Sequence, residues 1–384
     1  MSSACTPRCS VFFLLVAVIA IASGHTPTGQ VAPAPPSSGL AALDARWSLA
    51  LGSPLSATPA FDAQTAYVPT RNGQLAAVEL DSGFVRWRID LETAVSPASG
   101  DGLVFATSTG LLMGLDSASG RPLWRTPLAG RVVAPLYWDS GWLIASMESG
   151  DVTAYRADAG TLVWTQNLGA PLALAPVPAL DRLFFALTDS RLISADLDTG
   201  VVRWTETVEG RISGLLALDD QLIAGTTGNF VQSFELTNGR RRWRWRVGAD
   251  VVGSGAADDG FIYFVALDNV LRAVDRRSGN LRWSRPLPAR PSTGPVRVDD
   301  AVLVPFVSSE IAVFSPADGK PIVTIKGIGE LGAQPYLRSN PAPTAARLIT
   351  VNREGTLQGF ASRMEPPPAP LETLPGARVG GDGG

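Results

Sequence analysis

The sequence is poor in the residues that carry most nucleophilic and metal chemistry. Cys5, Cys9 and His25 are its only cysteines and histidine, and all three precede residue 26 of 384. A Ser-His-Asp or Cys-His arrangement needs an imidazole beside its nucleophile. Zinc sites need His or Cys ligands, and no D-x-D-x-D-G spacing stands ready for calcium. No catalytic residue, metal site or cofactor is therefore expected. Disulfides cannot staple the chain beyond Cys9, so burial alone has to hold it, which a domain of about 320 residues can manage. Positive charge is not in excess either: 32 Lys and Arg stand against 35 Asp and Glu, a net charge of −3. That balance argues against a nucleic-acid partner, whose phosphates demand a basic face. Helical periodicity is absent throughout.

Long apolar runs are lacking as well. Val11–Ala22 is unbroken, but it is shorter than the roughly 20 residues a bilayer span needs. With Arg8 before it and small residues at Ala20–Gly24, the run reads as an export signal over residues 1–24. Residues 25–43 are rich in Pro, Ala and Ser and read as a linker. Residues 363–384 lack periodicity, carry four prolines before Leu371 and read as a disordered tail. The mature protein is expected outside the cytoplasm, peripheral to a membrane at most, as a monomer.

Residues 44–362 repeat. Trp47, Trp87, Trp124, Trp164, Trp204, Trp243 and Trp283 keep one register, with spacings of 40, 37, 40, 40, 39 and 40; Val323 stands 40 further on. Four residues before each position from the second onward comes a glycine: Gly83, Gly120, Gly160, Gly200, Gly239, Gly279 and Gly319. Four earlier still, Glu79, Asp116, Asp196, Glu235 and Asp275 recur. Ten before each glycine stands a turn residue: Gly73, Gly110, Gly150, Ser190, Asn229, Asn269 and Ser309. A period near 40 with these landmarks indicates a β-propeller of four-stranded blades. The tryptophans are expected to fill the seams between blades, the glycines to allow positive φ, and the carboxylates to accept turn amides. Small residues in each first strand suit a crowded axis. The strand around Trp47 has no preceding segment and the segment ending at Phe360 has no outer strand. Pairing the two gives eight blades and leaves no free edge.

The signature D-x-x-T/S-G-x-x-x-W, as in ADLDTGVVRW (195–204) and AVDRRSGNLRW (273–283), resembles the repeat of quinoprotein (PQQ) dehydrogenases and their non-catalytic relatives. Length, the missing Trp in DGKPIVTI (318–325) and the final EGTLQGF strand are most similar to the BamB-like family, the propeller subunit of the outer-membrane β-barrel assembly machine. That resemblance implies a non-enzymatic scaffold that docks on the periplasmic domains of a β-barrel assembly subunit. It implies partner contact at Leu172 and Leu174, which match the family's leucine–x–leucine–arginine stretch, while Ala175 replaces the arginine. The family's acidic loop is reduced here to Val208–Arg211, and no Leu-x-x-Cys lipobox follows the apolar run. The other readings are a PQQ- or small-molecule-binding propeller and an envelope module for another protein or a glycan.

Three further features invite chemistry. Asp219-Asp220, Asp258-Asp259 and Asp299-Asp300 are adjacent carboxylates, but all recur between first and second strands and read as turn formers, not an acid–base dyad. In the run from Arg240 to Arg246, strand alternation would put Trp243, Trp245 and Val247 on one face and Arg242, Arg244 and Arg246 on the other. With Arg240 these form a candidate anionic contact, against the plainer reading of a charged edge that discourages aggregation. Trp138 and Trp142 flank one turn and fit either core packing or an exposed aromatic patch.

Overall fold

The structure, a computed structural model, describes residue 40 and residues 43–298, 300–338 and 345–363. The export signal lies outside the described residues, as do the linker apart from Leu40 and Leu43 and the tail apart from Arg363. Among the described residues, 32 strands form eight four-stranded antiparallel sheets. Seven sheets are consecutive in the chain, and the eighth joins Leu43–Ala50 to the last three strands.

Blade four shows how sequence becomes sheet. Its strands are Val177–Ala179, Arg182–Ala186, Arg191–Asp196 and Val202–Thr207, from the axis outward. The two middle strands read Leu-Phe-Phe-Ala and Leu-Ile-Ser-Ala and are buried continuously, because a blade is covered on both faces by its neighbours. In the outer strand only Trp204 is buried. The core is accordingly eight apolar slabs, one in each seam between adjacent blades.

The register tryptophans lock those seams. Each indole N–H donates to a carbonyl of the next blade: Trp87 to Ser117, Trp124 to Ala157, Trp164 to Leu197, Trp204 to Leu236, Trp243 to Arg276 and Trp283 to Pro316, at 2.8–3.3 Å. Trp47, on the outer strand of blade eight, donates to Leu80 of blade one at 3.0 Å and closes the ring. The repeated glycines do more than turn the chain. Gly200 has φ 69°, and a methyl there would fall 2.6 Å from the ring of Trp164 in the preceding blade. The other six register glycines meet the preceding tryptophan in the same way. All eight outer strands also carry a β-bulge at the residue before the register position, a feature that residue spacing does not reveal.

The seam between blades seven and eight has Val323 in place of a tryptophan. Leu40, fully buried, and Leu43 join Val323 there in one cluster with Leu303, Leu348 and Phe360. The N-terminal strand runs beside the last one in register from Leu43 opposite Ser362 to Ala50 opposite Thr356.

Near the axis the expected small residues are needed for close backbone approach: a methyl on Gly253 would lie 2.5 Å from the amide nitrogen of Gly294 in the next blade. The turn residues Gly73, Gly110, Gly150, Ser190, Asn229 and Asn269 have positive φ, as expected; Ser309 does not. The recurrent carboxylates divide. Asp116 and Asp275 accept turn amides, whereas Glu79, Asp196 and Glu235 pair with Arg86, Arg203 and Arg240 through their side chains.

Candidate functional site

Two kinds of connection share one end of the ring: the loop leaving each outer strand, and the turn between second and third strands. Backbone bonds tie them together, as from Leu128 to Gly110, Leu168 to Gly150 and Val208 to Ser190. Two of the depressions among the described residues lie at this end. The first, of about 520 Å³, lies between the loops around Ala94 and Ala129 and the turn at Thr109. The second, of about 570 Å³, lies between Val133, Pro171, Ala173, Thr188, Arg211 and Thr227, with Leu172 and Ile212 at its base.

Of the expected partner residues Leu172 lines the second depression, and neither is a free side chain. Leu172 is 3% exposed, belongs to the slab between blades three and four, and pairs with Leu187 as an isolated bridge. Leu174 is half-buried and packs on the slab between blades four and five. The reason is visible in the register: eight residues after each register position stand Leu55, Val95, Val132, Leu172, Ile212, Val251, Pro291 and Leu331. Leu172 thus occupies an anchoring position that every blade fills with an apolar residue or proline, and this signal was available in the sequence. What the depression offers to solvent is Glu148, Thr188 and Arg211. Arg211 is exposed and has no ion pair among the described residues.

The arginine run is largely spoken for. Arg240 pairs with Glu235 and holds that carboxyl below its usual range, helped by Asn238. Arg242 reaches Asp220 at 2.8 Å, and Arg244 pairs with Glu209 while lying over the Phe230 ring. Arg242 is the bulge residue of its strand, so simple alternation with Arg244 and Arg246 fails at that point. Only Arg246 of the four has no ion pair among the described residues. Carboxylates from nearby strands and turns already pair with three of its guanidiniums.

The adjacent aspartates serve turns and seams. Asp219 and Asp220 both meet Arg276 of the next blade. Asp258 accepts the amides of Gly260 and Phe261 and the Tyr263 hydroxyl. Burial alone would raise the Asp258 pKa; those bonds and nearby Arg297 outweigh it and hold the carboxyl low. Asp299 lies outside the described residues. Trp142 is buried beneath Arg156, whose guanidinium lies 4.0 Å from its ring. Trp138 packs over Gly100 of the preceding blade, so the two indoles form no exposed patch. Among the described residues no group of three or more His, Cys, Asp or Glu is placed to hold a metal ion.

Residues 37–125, 93–215 and 209–326 match the family described as outer membrane protein assembly factor BamB. The chain belongs to that family. Relatives of that description include one from Nitrosomonas eutropha, 26% identical over 53% of this chain and 55% of its own length. Another, from Yersinia pestis, is 21% identical over 82% of this chain and 88% of its own length. The solved structure of BamB from Moraxella catarrhalis superposes with a TM-score of 0.69 at 17% identity, covering 83% of this chain and 99% of that one. A quinohemoprotein alcohol dehydrogenase from Comamonas testosteroni reaches the same TM-score at 13% identity, covering 88% of this chain and 79% of its own. At these identities the structural likeness speaks for the fold alone.

Proposed function

We propose that this chain is a non-enzymatic periplasmic scaffold in the assembly of outer-membrane β-barrel proteins, and that it docks on the periplasmic domains of a β-barrel assembly subunit. Family membership over most of the ring supports the first part of this reading. One observation carries the second: the stretch that resembles the family's contact segment, Ala170–Ala175, borders a depression whose exposed rim holds an unpaired cation, Arg211. In this reading Leu172 and Leu174 set the loop's shape from beneath, and Pro171, Ala173, Thr188 and Arg211 meet the partner. Arg211 supplies from the next loop the positive charge that Ala175 cannot. The non-enzymatic reading rests on residue supply: the ring has no histidine or cysteine to act as base, nucleophile or soft ligand. Export completes the picture, with residues 1–24 as its signal.

The test is co-purification of the tagged, exported protein with the barrel-assembly subunit from native envelopes. The wild-type chain is expected to retain that subunit, and Ala173→Asp combined with Arg211→Glu to release it. Retention by the double variant would remove the docking site from this face. Calcium-dependent dye reduction by protein supplied with PQQ would replace the scaffold reading with an enzyme.

A further inference from the structure

The two depressions share a wall. Arg131 and Val132 line the first, and Val133 and Glu148 line the second. Arg131 and Glu148 face each other in a two-pronged ion pair, with contacts of 2.9 and 3.1 Å, and stand 71% and 63% exposed above the surface. This strip lies between the two hollows. Their bases are apolar: Val95, Leu128 and Val132 on one side, Leu172 and Ile212 on the other. The charges at the far ends differ from those on the ridge. Glu92 at the outer end of the first and Arg211 at the end of the second are exposed and have no ion pair among the described residues. The turn at the first hollow is also under strain. Thr109 has φ 48°, the one β-branched side chain in the left-handed region among the described residues. The two-residue hairpin between Ser108 and Leu111 requires positive φ at both Thr109 and Gly110.

We propose that the two depressions are halves of one docking groove, filled by a single extended segment of the assembly partner. That segment places apolar side chains in both hollows, crosses the Arg131–Glu148 ridge, brings a carboxylate to Arg211 and a basic side chain to Glu92. This rests on the docking reading above and extends it from one loop to four consecutive inter-blade loops, from blade one to blade five. An apolar floor with a charged rim is the usual composition of a protein interface. The opposite charges at the two ends fix the direction in which the segment lies, since the reverse orientation would set like charges together.

Calorimetric titration of the mature full-length chain with the purified periplasmic domains of the barrel-assembly subunit from the same organism tests both readings separately. Ala129→Trp and Ala94→Trp fill the first hollow; Ala173→Trp fills the second. Each of these, and Arg211→Glu, is expected to weaken binding at least about tenfold, the scale of an interface hot spot. Leu281→Asp, at the opposite end of the ring, is expected to leave the affinity unchanged. Wild-type affinity in both Ala129→Trp and Ala94→Trp, with loss in Ala173→Trp, overturns the shared groove and leaves the docking reading intact. Wild-type affinity in every groove variant also overturns it, placing the partner elsewhere on the ring. Failure of the wild-type chain to bind those domains overturns the docking reading itself.

Discussion

A single side chain, repeated, carries the cohesion of this protein. Trp204 is 8% exposed, donates to Leu236 at 2.9 Å, lies 5.8 Å from the Phe184 ring, and rests on Gly239 of the next blade. Trp204→Ala is expected to remove about 3–5 kcal/mol of stability, as large-to-small core changes do, read by urea unfolding. Gly239→Ala is destabilising for two reasons: φ is 75°, and the new methyl would lie 2.8 Å from the Trp204 ring. Only the second reason vanishes when the indole is gone. A double-mutant cycle of the two substitutions should therefore show the pair costing less than the sum of the singles. Simple additivity would mean that the glycine serves its turn and not the indole.

At the scale of the element, a loop can be a core component. The loop leaving the outer strand of blade three is pinned by Leu172, whose equivalents occupy the same register position around the ring. Leu172→Ala is thus expected to cost about 2–5 kcal/mol in unfolding experiments, like other buried leucines. A change within about 0.5 kcal/mol, the level of surface sites, would return Leu172 to the partner-facing role the family resemblance implies. The outer strands teach a related lesson. Period-two reading placed Trp243 and Trp245 on one face correctly. It missed the bulge at Arg242, since a bulge depends on how the twisted edge strand meets its neighbour and leaves no mark in residue type.

At the scale of the whole molecule, the first strand is the fastening. Leu43–Ala50 supplies the outer strand of blade eight, Trp47 docks that blade on blade one, and Leu40 fills the seam where Val323 replaces a tryptophan. A chain beginning at residue 51 would lose all three at once. It would also bare the edge of the strand Thr356–Ser362. Such a chain is expected to self-associate and to lose a single cooperative unfolding transition, read by light scattering and calorimetry. A monomeric, cooperatively unfolding truncation would show that closure by this strand is dispensable.

Residue spacing alone determined the blade count, the closure, the role of the tryptophans and the glycine turns, because each is a local demand repeated eight times or nearly so. Recurrence makes such a demand legible without coordinates. The loop-bearing end was only half legible: the family resemblance singled out Leu172 and Leu174, and the structure buries the first and half-buries the second, since burial of a side chain depends on neighbours from another blade. The ion pairs that absorb Arg240, Arg242 and Arg244, and the ridge that Arg131 and Glu148 raise between two hollows, were decided by tertiary structure alone. Their partners lie 5 to 35 positions away in the chain. Only the turning of strands and blades brings those charges within reach.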